Sequence, residues 1–215
     1  MLIESCAVPP FGKNGYVVAC PATHDAIVID PGHEVSQLIA IVDRLGLAVQ
    51  AIMLTHSHLD HIAGCNEARA LWDAPIVLHR DDLFLYERAV QQGVAFGVSM
   101  RPQPPVDAWF DEQPSWTFGR CTVTAHHTPG HSPGQVCLQV GPAGAPGEHL
   151  FVGDTLFAGS IGRTDLPGGD LDTLLRSVRD VILPLGDGCM VYPGHGPTTT
   201  VGQERRTNPF LQTLR

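Results

Sequence analysis

The sequence predicts a single α/β domain, residues 1–215, built as a four-layer αββα sandwich. Short apolar segments typical of strands alternate with segments of helical period, and each half of the chain has strands followed by helix. A chain of 215 residues, 43% hydrophobic and 16% charged, is long enough to bury a core between such layers. Two sheets that face each other, each covered by helices on its outer side, satisfy these observations.

The first half of the chain predicts five strands and three helices. Its short apolar segments place strands at residues 2–8, 16–20, 26–29, 49–55 and 76–79. Its helices are predicted at residues 35–45, 62–71 and 81–92. The first helix has apolar residues at helical spacing, and Gly46 follows it as the expected C-cap.

The second half predicts further strands around one helix. Strands are predicted at residues 116–125, 135–140 and 149–152, a helix at 171–182 and a last strand at 189–192. Between the halves, residues 97–114 hold four of the 18 prolines and few periodic apolar positions. That composition indicates a long loop over the surface or over the functional site.

Composition excludes several classes of partner. The 13 Lys and Arg against 22 Asp and Glu give a net charge of −9, and no basic cluster offers a nucleic-acid site. No segment has the length of a membrane span and the start has no signal-peptide pattern, so a cytoplasmic protein with a small-molecule substrate is expected, as a monomer or homodimer. The six cysteines show no C-x-x-C spacing, which favours buried reduced thiols without a catalytic role.

Four side chains that can bind metal crowd into His56-Ser57-His58-Leu59-Asp60-His61, directly after the strand predicted at 49–55. Residues two apart in an extended chain project to the same side, so His56 and His58 can hold one ion together. Asp60 and His61 lie in the first turn of the next helix and suit a second ion nearby. The sequence therefore predicts two divalent metal ions, with zinc as the first expectation and iron or manganese as alternatives.

Three later loops, each following a predicted strand, contain further residues that can bind metal. His131 lies in Thr128-Pro129-Gly130-His131, Asp154 in Val152-Gly153-Asp154, and His195 in Tyr192-Pro193-Gly194-His195. A glycine precedes each of them, and glycine lets the backbone take tight geometry close to an ion. Together with the first motif, these residues predict a metal centre assembled from several loops.

With these motifs the chain resembles the metallo-β-lactamase superfamily, whose five motifs match Asp30, the loop 56–61, His131, Asp154 and His195 in order. The resemblance implies three roles for the ligands: His56, His58 and His131 for the first ion; Asp60, His61 and His195 for the second; Asp154 as the bridge. It also implies that Asp30 orients the ligand loop without binding metal.

The residue type at position 154, an aspartate, helps to indicate the substrate class. True β-lactamases of this superfamily usually have cysteine or serine there, whereas aspartate resembles glyoxalase II, lactonases and persulfide dioxygenases. Residues 153–165 and 204–210 resemble the short, single-domain bacterial glyoxalase II, a hydroxyacylglutathione hydrolase. The resemblance implies hydrolysis of a glutathione thioester, S-lactoylglutathione, to D-lactate and glutathione by a metal-bound hydroxide, with Asp60 and Asp154 as catalytic residues.

Residues that would bind glutathione are harder to assign. Longer glyoxalase II enzymes use a helical C-terminal domain, whereas only 20 residues follow His195 here. Lys13, Tyr16 and Arg163 are the candidates for contacting the glutathione carboxylates.

Three other interpretations stay open. An iron-dependent persulfide dioxygenase shares Gly162-Arg163-Thr164-Asp165 and uses one iron at residues matching His58, His131 and Asp154, although residues 158–161 lack the Arg and Cys of that family. A lactonase or another ester hydrolase fits the same ligands. A non-catalytic metal-binding or redox-sensing protein is the interpretation from a different class, although every expected ligand is present.

Overall fold

The first sheet gathers the strands of the first half of the chain. The computed structural model describes residues 1–145 and 147–214, and in this part of the chain the sheet has six strands in sequence order: β1 (Leu2–Val8), β2 (Lys13–Ala19), β3 (Asp25–Ile29), β4 (Ala48–Met53), β5 (Ile76–Leu78) and β6 (Ala108–Trp109). The strands from β1 to β3 pair antiparallel. From β3 to β6 they pair parallel, because helical crossovers connect them.

The second sheet gathers the strands of the second half, together with a small hairpin. In chain order these strands are β7 (Ser115–Phe118), β8 (Cys121–His127), β9 (Val136–Pro142), β10 (His149–Gly153), β11 (Leu156–Phe157), β12 (Ser160–Ile161), β13 (Met190–Pro193) and β14 (Thr199–Thr200). The sheet order is β14-β13-β10-β9-β8-β7, and β11 pairs with β12 separately. Within the sheet only β10 and β13, among the described strands, run parallel.

Helices cover the outer faces of both sheets. They are α1 (Val35–Leu45), α2 (Leu59–Ile62), α3 (Cys65–Trp72), α4 (Leu83–Tyr86), α5 (Ala89–Phe96), α6 (Leu171–Ser177) and α7 (Val201–Thr207). Buried residues of α1 and of α3 to α5 pack on the first sheet, and those of α6 and α7 pack on the second. The predicted four-layer αββα sandwich is therefore confirmed.

The central core lies between the two sheets. Alternate residues of each strand point inward, and the fully buried ones include Val18, Ile29 and Met53 from the first sheet. Their neighbours in sequence point outward, so that Val17 and Val28 pack under α1. A strand that is buried on both faces has apolar residues at consecutive positions. The sequences of β2 and β3 show this continuous apolar pattern.

Several predicted boundaries are wrong. The helix predicted at 62–71 is broken at Gly64. The Gly64 amide donates to Pro31 O at 2.8 Å, and the surrounding backbone leaves no room for a side chain at this position. The helix at 81–92 is a short turn followed by α4 and α5, and the strand at 116–125 is a hairpin that turns at Gly119 (φ 57°). The loop at 97–114 contains β6, and β14 follows the strand predicted as the last.

Other expectations are confirmed. Gly46 ends α1 in the left-handed conformation, with φ 60° and ψ 45°. All six cysteines are free thiols, and all except the half-buried Cys6 are buried. Among the residues that the structure describes, no helix is long and apolar enough to cross a membrane.

Candidate metal centre

The structure brings all seven predicted metal-binding residues together at one edge of the sandwich: His56, His58, Asp60, His61, His131, Asp154 and His195. Strands β3 and β4 run parallel in one sheet, as do β10 and β13 in the other, so the loops after them emerge at one edge. Backbone hydrogen bonds join these loops across the sheets. The Gly194 amide donates to Gly153 O, and the Asn14 amide donates to Gly194 O, both at 2.7 Å.

The first donor group is a triad of imidazoles. The Nε2 atom of His131 lies 2.7 Å from Nδ1 of His58 and 3.2 Å from Nε2 of His56. Nδ1 of His131 lies 2.7 Å from Arg163 O, an acceptor, so that nitrogen carries the proton. With its proton on Nδ1, His131 directs the lone pair of Nε2 toward the ring nitrogens of His56 and His58. This close approach of nitrogen atoms suits a cation between them.

Asp30 fixes the direction of His61. Its Oδ1 accepts the Thr55 amide at 2.7 Å, and its Oδ2 accepts the Thr55 hydroxyl at 2.6 Å and Nδ1 of His61 at 2.9 Å. The Thr55 hydroxyl in turn lies 3.1 Å from Nδ1 of His56. Both imidazoles therefore hold a proton on Nδ1 and turn Nε2 toward the site, where Nε2 of His61 is buried and makes no hydrogen bond to the described residues.

Asp154 lies between the triad and a second donor group formed by Asp60, His61 and His195. In that group Oδ2 of Asp60 is 3.2 Å from Nε2 of His195 and 3.9 Å from Nε2 of His61. Oδ1 of Asp154 is 3.4 Å from Nε2 of His61, and its Oδ2 is 3.6 Å from Nε2 of His131 and 3.5 Å from Nε2 of His195. One carboxylate thus faces both donor groups.

The electrostatics of the site favour neutral His56 and His58, whose pKa values burial lowers, beside a region that attracts positive charge. Burial, reinforced by His131, lowers the pKa of His58 to about 3. Burial also lowers the pKa of His61, but the carboxylates of Asp154, Asp60 and Asp30 outweigh burial and raise this pKa to about 10. For Asp154, burial raises the pKa, and the neighbouring histidines, His61 first, bring it down to about 2. The donor set therefore fits a binuclear metal site.

A further cluster of His79, Asp81 and His127 does not suit an ion as it stands. The two imidazole rings stack with centroids 4.0 Å apart and an interplanar angle of 10°. Lone pairs lie in the plane of each ring, so those of stacked rings run parallel instead of converging. His127 also uses Nε2 in a hydrogen bond of 2.8 Å with Pro133 O.

Asp82 ties two ligand loops together, a role that the sequence does not reveal. Its Oδ2 accepts the Ser57 amide at 2.8 Å and the Ser132 hydroxyl at 2.9 Å, and its Oδ1 accepts the Gly134 amide at 2.6 Å. Its side chain is fully buried, and burial raises its pKa. The one signal in the sequence is an acidic residue directly before the apolar start of α4, which is typical of a helix cap.

Gln92 connects α5 to the loop that carries four of the ligands. Its Nε2 donates to Ser57 O and to Leu85 O, both at 2.9 Å, and its Oε1 accepts the Leu59 amide at 3.1 Å. This side chain, also missed from the sequence, holds α5 at a fixed position beside the predicted metal-binding residues.

Lys13 and Tyr16 lie away from the cleft, in contrast to the expectation from the sequence. The Lys13 side chain is 2% exposed, and its Nζ contacts the Glu34 carboxylate and the Asp30 carbonyl oxygen. The buried Tyr16 hydroxyl donates to Pro193 O at 2.6 Å. Lys13 supports the backbone at Asp30 and Tyr16 supports the loop of His195, so neither is a substrate contact. Arg163 does line the cleft, where its guanidinium pairs with Asp165 at 2.6 and 2.7 Å.

An open cleft of about 520 Å³ leads from solvent to the donor groups. Its floor contains five of the predicted ligands: His58, Asp60, His131, Asp154 and His195. Its walls are largely apolar and include Phe11, Phe84, Phe96 and Leu166. A cleft of this volume accommodates a small molecule of metabolite size.

Gly194 packs directly against the ligands, and this contact carries a prediction. A Cβ at this position would overlap Oδ1 of Asp154 and lie 2.8 Å from Cε1 of His61. We expect Gly194→Ala to displace Asp154 and to weaken metal binding about tenfold or more, as measured by competition with a chelator. Gly188→Ala is the matched control, because a Cβ there meets nothing within 4 Å. Equal loss of metal from both variants contradicts this explanation.

The fold consists of two sheets between helical layers. At the ends of the strands lie His and Asp donor groups suited to a binuclear metal site. These features define the class of metal-dependent αββα proteins. The sequence model of the metallo-beta-lactamase superfamily matches residues 8–195. The chain belongs to this superfamily.

Individual relatives are similar over their full length. The hydroxyacylglutathione hydrolase GloC of Haemophilus influenzae is 37% identical over 217 residues, which cover 98% of this chain and 98% of that protein. The crystal structure of the B3 metallo-beta-lactamase BLEG-1 has a TM-score of 0.89 at 37% identity and covers 98% of this chain and 100% of its own. TTHA1623, crystallised in a di-iron-bound form, has a TM-score of 0.84 at 39% identity, over 97% and 100% of the two chains.

Proposed function

We propose that the protein is a metal-dependent thioester hydrolase that cleaves S-lactoylglutathione to D-lactate and glutathione. The observation that carries the proposal is the position of Asp154, which faces both donor groups at the floor of an open cleft. The similarity to a hydroxyacylglutathione hydrolase over nearly the whole chain supports the substrate class. In this proposal His56, His58 and His131 would hold one ion and Asp60, His61 and His195 would hold the other, with Asp154 facing both donor groups.

Divalent ions at the two donor groups supply Lewis acidity, which polarises a carbonyl group and makes a nearby water molecule more acidic. The residues of the chain supply orientation and charge. Asp30 keeps the proton of His61 on Nδ1, so Nε2 stays directed at Asp154. Oδ2 of Asp60 lies beside His195 in the cleft, and although burial raises the pKa of Asp60, His61 and His195 hold it well below its usual range, so Asp60 stays a carboxylate that would hold the second ion. A thiolate leaves without being protonated, so the site requires no dedicated general acid.

The proposal extends to the metal and the compartment. Zinc, iron and manganese all accept nitrogen and oxygen ligands of this kind, and the di-iron form of TTHA1623 makes iron a strong alternative to zinc. We propose the cytoplasm as the compartment, because free thiols persist in a reducing environment.

The test measures metal content and two reactions on the same preparations. Protein loaded separately with zinc, iron and manganese is expected to bind about two ions per chain and to release thiol from S-lactoylglutathione. Oxygen consumption with glutathione persulfide is measured in parallel. Oxygen uptake without thioester cleavage contradicts the proposal and favours the iron-dependent dioxygenase.

β-Lactam hydrolysis is a second candidate, because BLEG-1 is described as a B3 metallo-beta-lactamase and is 37% identical. Opening of a β-lactam ring by the same metal-loaded preparations tests it directly. A β-lactam hydrolysed with higher kcat/KM than the glutathione thioester would reverse the order of the two candidates.

A further inference from the structure

Among the described residues that line the cleft walls, Arg88 is a cation without a charged or hydrogen-bonding partner. Apart from the ligands at the floor, the charged residues that line the cleft are Arg88 and Arg163. Arg163 is bound on two nitrogens by Asp165, whereas the Arg88 side chain has no hydrogen-bond or ion-pair partner among the residues that the structure describes. Glu87, its neighbour in sequence, does not line the cleft. A guanidinium keeps its charge at every physiological pH, so Arg88 is a permanent positive charge at this wall.

The position of Arg88 is fixed relative to the metal-binding loop. Arg88 stands at the junction of α4 and α5, where its amide donates to Leu85 O at 3.0 Å and its carbonyl accepts the Gln92 amide at 2.9 Å. Residues four apart on a helix lie on the same face, so Arg88 and Gln92 both face the cleft. Since Gln92 is hydrogen-bonded to Ser57 and Leu59, the backbone that carries Arg88 is anchored to the loop that carries His56, His58, Asp60 and His61.

The surroundings of Arg88 favour binding of an anion. Phe84, Leu85 and Phe96 line the same wall, and Arg88 is exposed beside them, so its guanidinium is open to a ligand that enters the cleft. The chain as a whole carries a net charge of −9, which repels an anionic substrate at long range. An unpaired arginine at the cleft offsets that repulsion where a substrate enters.

We infer that Arg88 binds a carboxylate of the thiol carrier in the substrate, and so selects anionic thioesters such as those of glutathione. This inference rests on the proposed thioester hydrolysis. The reacting carbonyl lies at the floor with the donor groups, and the carrier extends along the wall formed by α4 and α5. Arg88 is therefore a binding residue, distant from the reacting atoms, which stabilises the bound substrate and the transition state equally.

The test combines binding with turnover. Affinity for S-hexylglutathione, a thioether that cannot be hydrolysed, is measured by calorimetry on metal-loaded protein, and the same ligand with both carboxylates methylated serves as the probe that lacks carboxylates. We expect Arg88→Ala to weaken binding of S-hexylglutathione about tenfold and to leave binding of the methylated ligand unchanged. For S-lactoylglutathione, KM is expected to rise about tenfold while kcat stays within about twofold. Arg101→Ala is the matched control, because that arginine is exposed and does not line the cleft.

The outcomes separate this inference from the proposed function. If Arg88→Ala binds S-hexylglutathione as the parent does, or loses affinity for the methylated ligand equally, the role of Arg88 is refuted, whether or not the thioester is hydrolysed. If the parent binds S-hexylglutathione through Arg88 but cleaves no thioester, the inference about the anion stands and the hydrolase proposal fails. Arg88→Lys is expected to recover part of the affinity, since it keeps the charge but loses the paired donors.

Discussion

Replacing Asp154 with asparagine is expected to lower kcat/KM for the thioester by about a hundred- to a thousandfold and to reduce bound metal to one ion or fewer per chain. The amide keeps the shape of the side chain but removes the negative charge that faces His61, His131 and His195. It also places NH₂ donors where the site requires acceptors for a cation. Steady-state kinetics and elemental analysis of the purified variant measure the two effects.

Asp180→Asn is the control for Asp154→Asn, since Asp180 is an exposed acid that pairs only with Arg179 among its described neighbours. The control is expected to match the parent in metal content and rate. An Asp154→Asn variant that keeps two ions per chain contradicts the position assigned to this carboxylate between the donor groups. A variant that loses the metal but keeps its rate contradicts the hydrolytic role of the metal itself.

Replacing Asp82 with alanine is expected to destabilise the fold by about 3–5 kcal/mol, because it leaves several buried donors without an acceptor. These donors are the Ser57 and Gly134 amides and the Ser132 hydroxyl. Urea denaturation of the metal-free protein measures the change in free energy of unfolding. Metal affinity is expected to fall as well, because Asp82 ties the loop of His56 and His58 to the loop of His131.

Asp81→Ala is the matched control for Asp82→Ala. It removes a neighbouring acid whose side chain is 59% exposed, and we expect the free energy of unfolding to change by less than about 0.5 kcal/mol. If the two variants are equally stable, Asp82 does not hold the loops together. If Asp82→Ala is destabilised but binds metal as tightly as the parent, its effect is limited to folding.

The location of the metal centre is predictable from the sequence because its signals are local. Each ligand loop follows an apolar segment, as His56 follows β4, and glycine precedes His131, Asp154 and His195. Parallel strands end at the same edge of a sheet, so residues directly after such strands meet. The role of Asp30 in orienting the loop is implied by the resemblance to the metallo-β-lactamase superfamily, and its contacts with Thr55 and His61 agree with that role.

Supporting residues were missed because their partners are distant in sequence or belong to the backbone. Asp82 bonds to groups 25, 50 and 52 residues away, two of which are amides that leave no mark in a side-chain pattern. Lys13 is predicted as a substrate contact, and its pairing with Glu34, 21 residues on, together with its contact with Asp30 O, explains how it is buried instead. Helix breaks such as the one at Gly64 depend on close packing against Pro31, which hydrophobic periodicity does not encode.

The hydrogen bonds of Gln92 couple the position of α5, in the cleft wall, to the backbone of the loop at residues 56–61. A substrate that shifts α5 therefore also shifts the backbone at Ser57 and Leu59, between the metal-binding side chains. If the substrate changes the affinity for metal by some factor, the metal changes the affinity for substrate by the same factor. Occupancy of the metal centre would then change with substrate concentration, so the metal content of the resting protein differs from that of the protein at work.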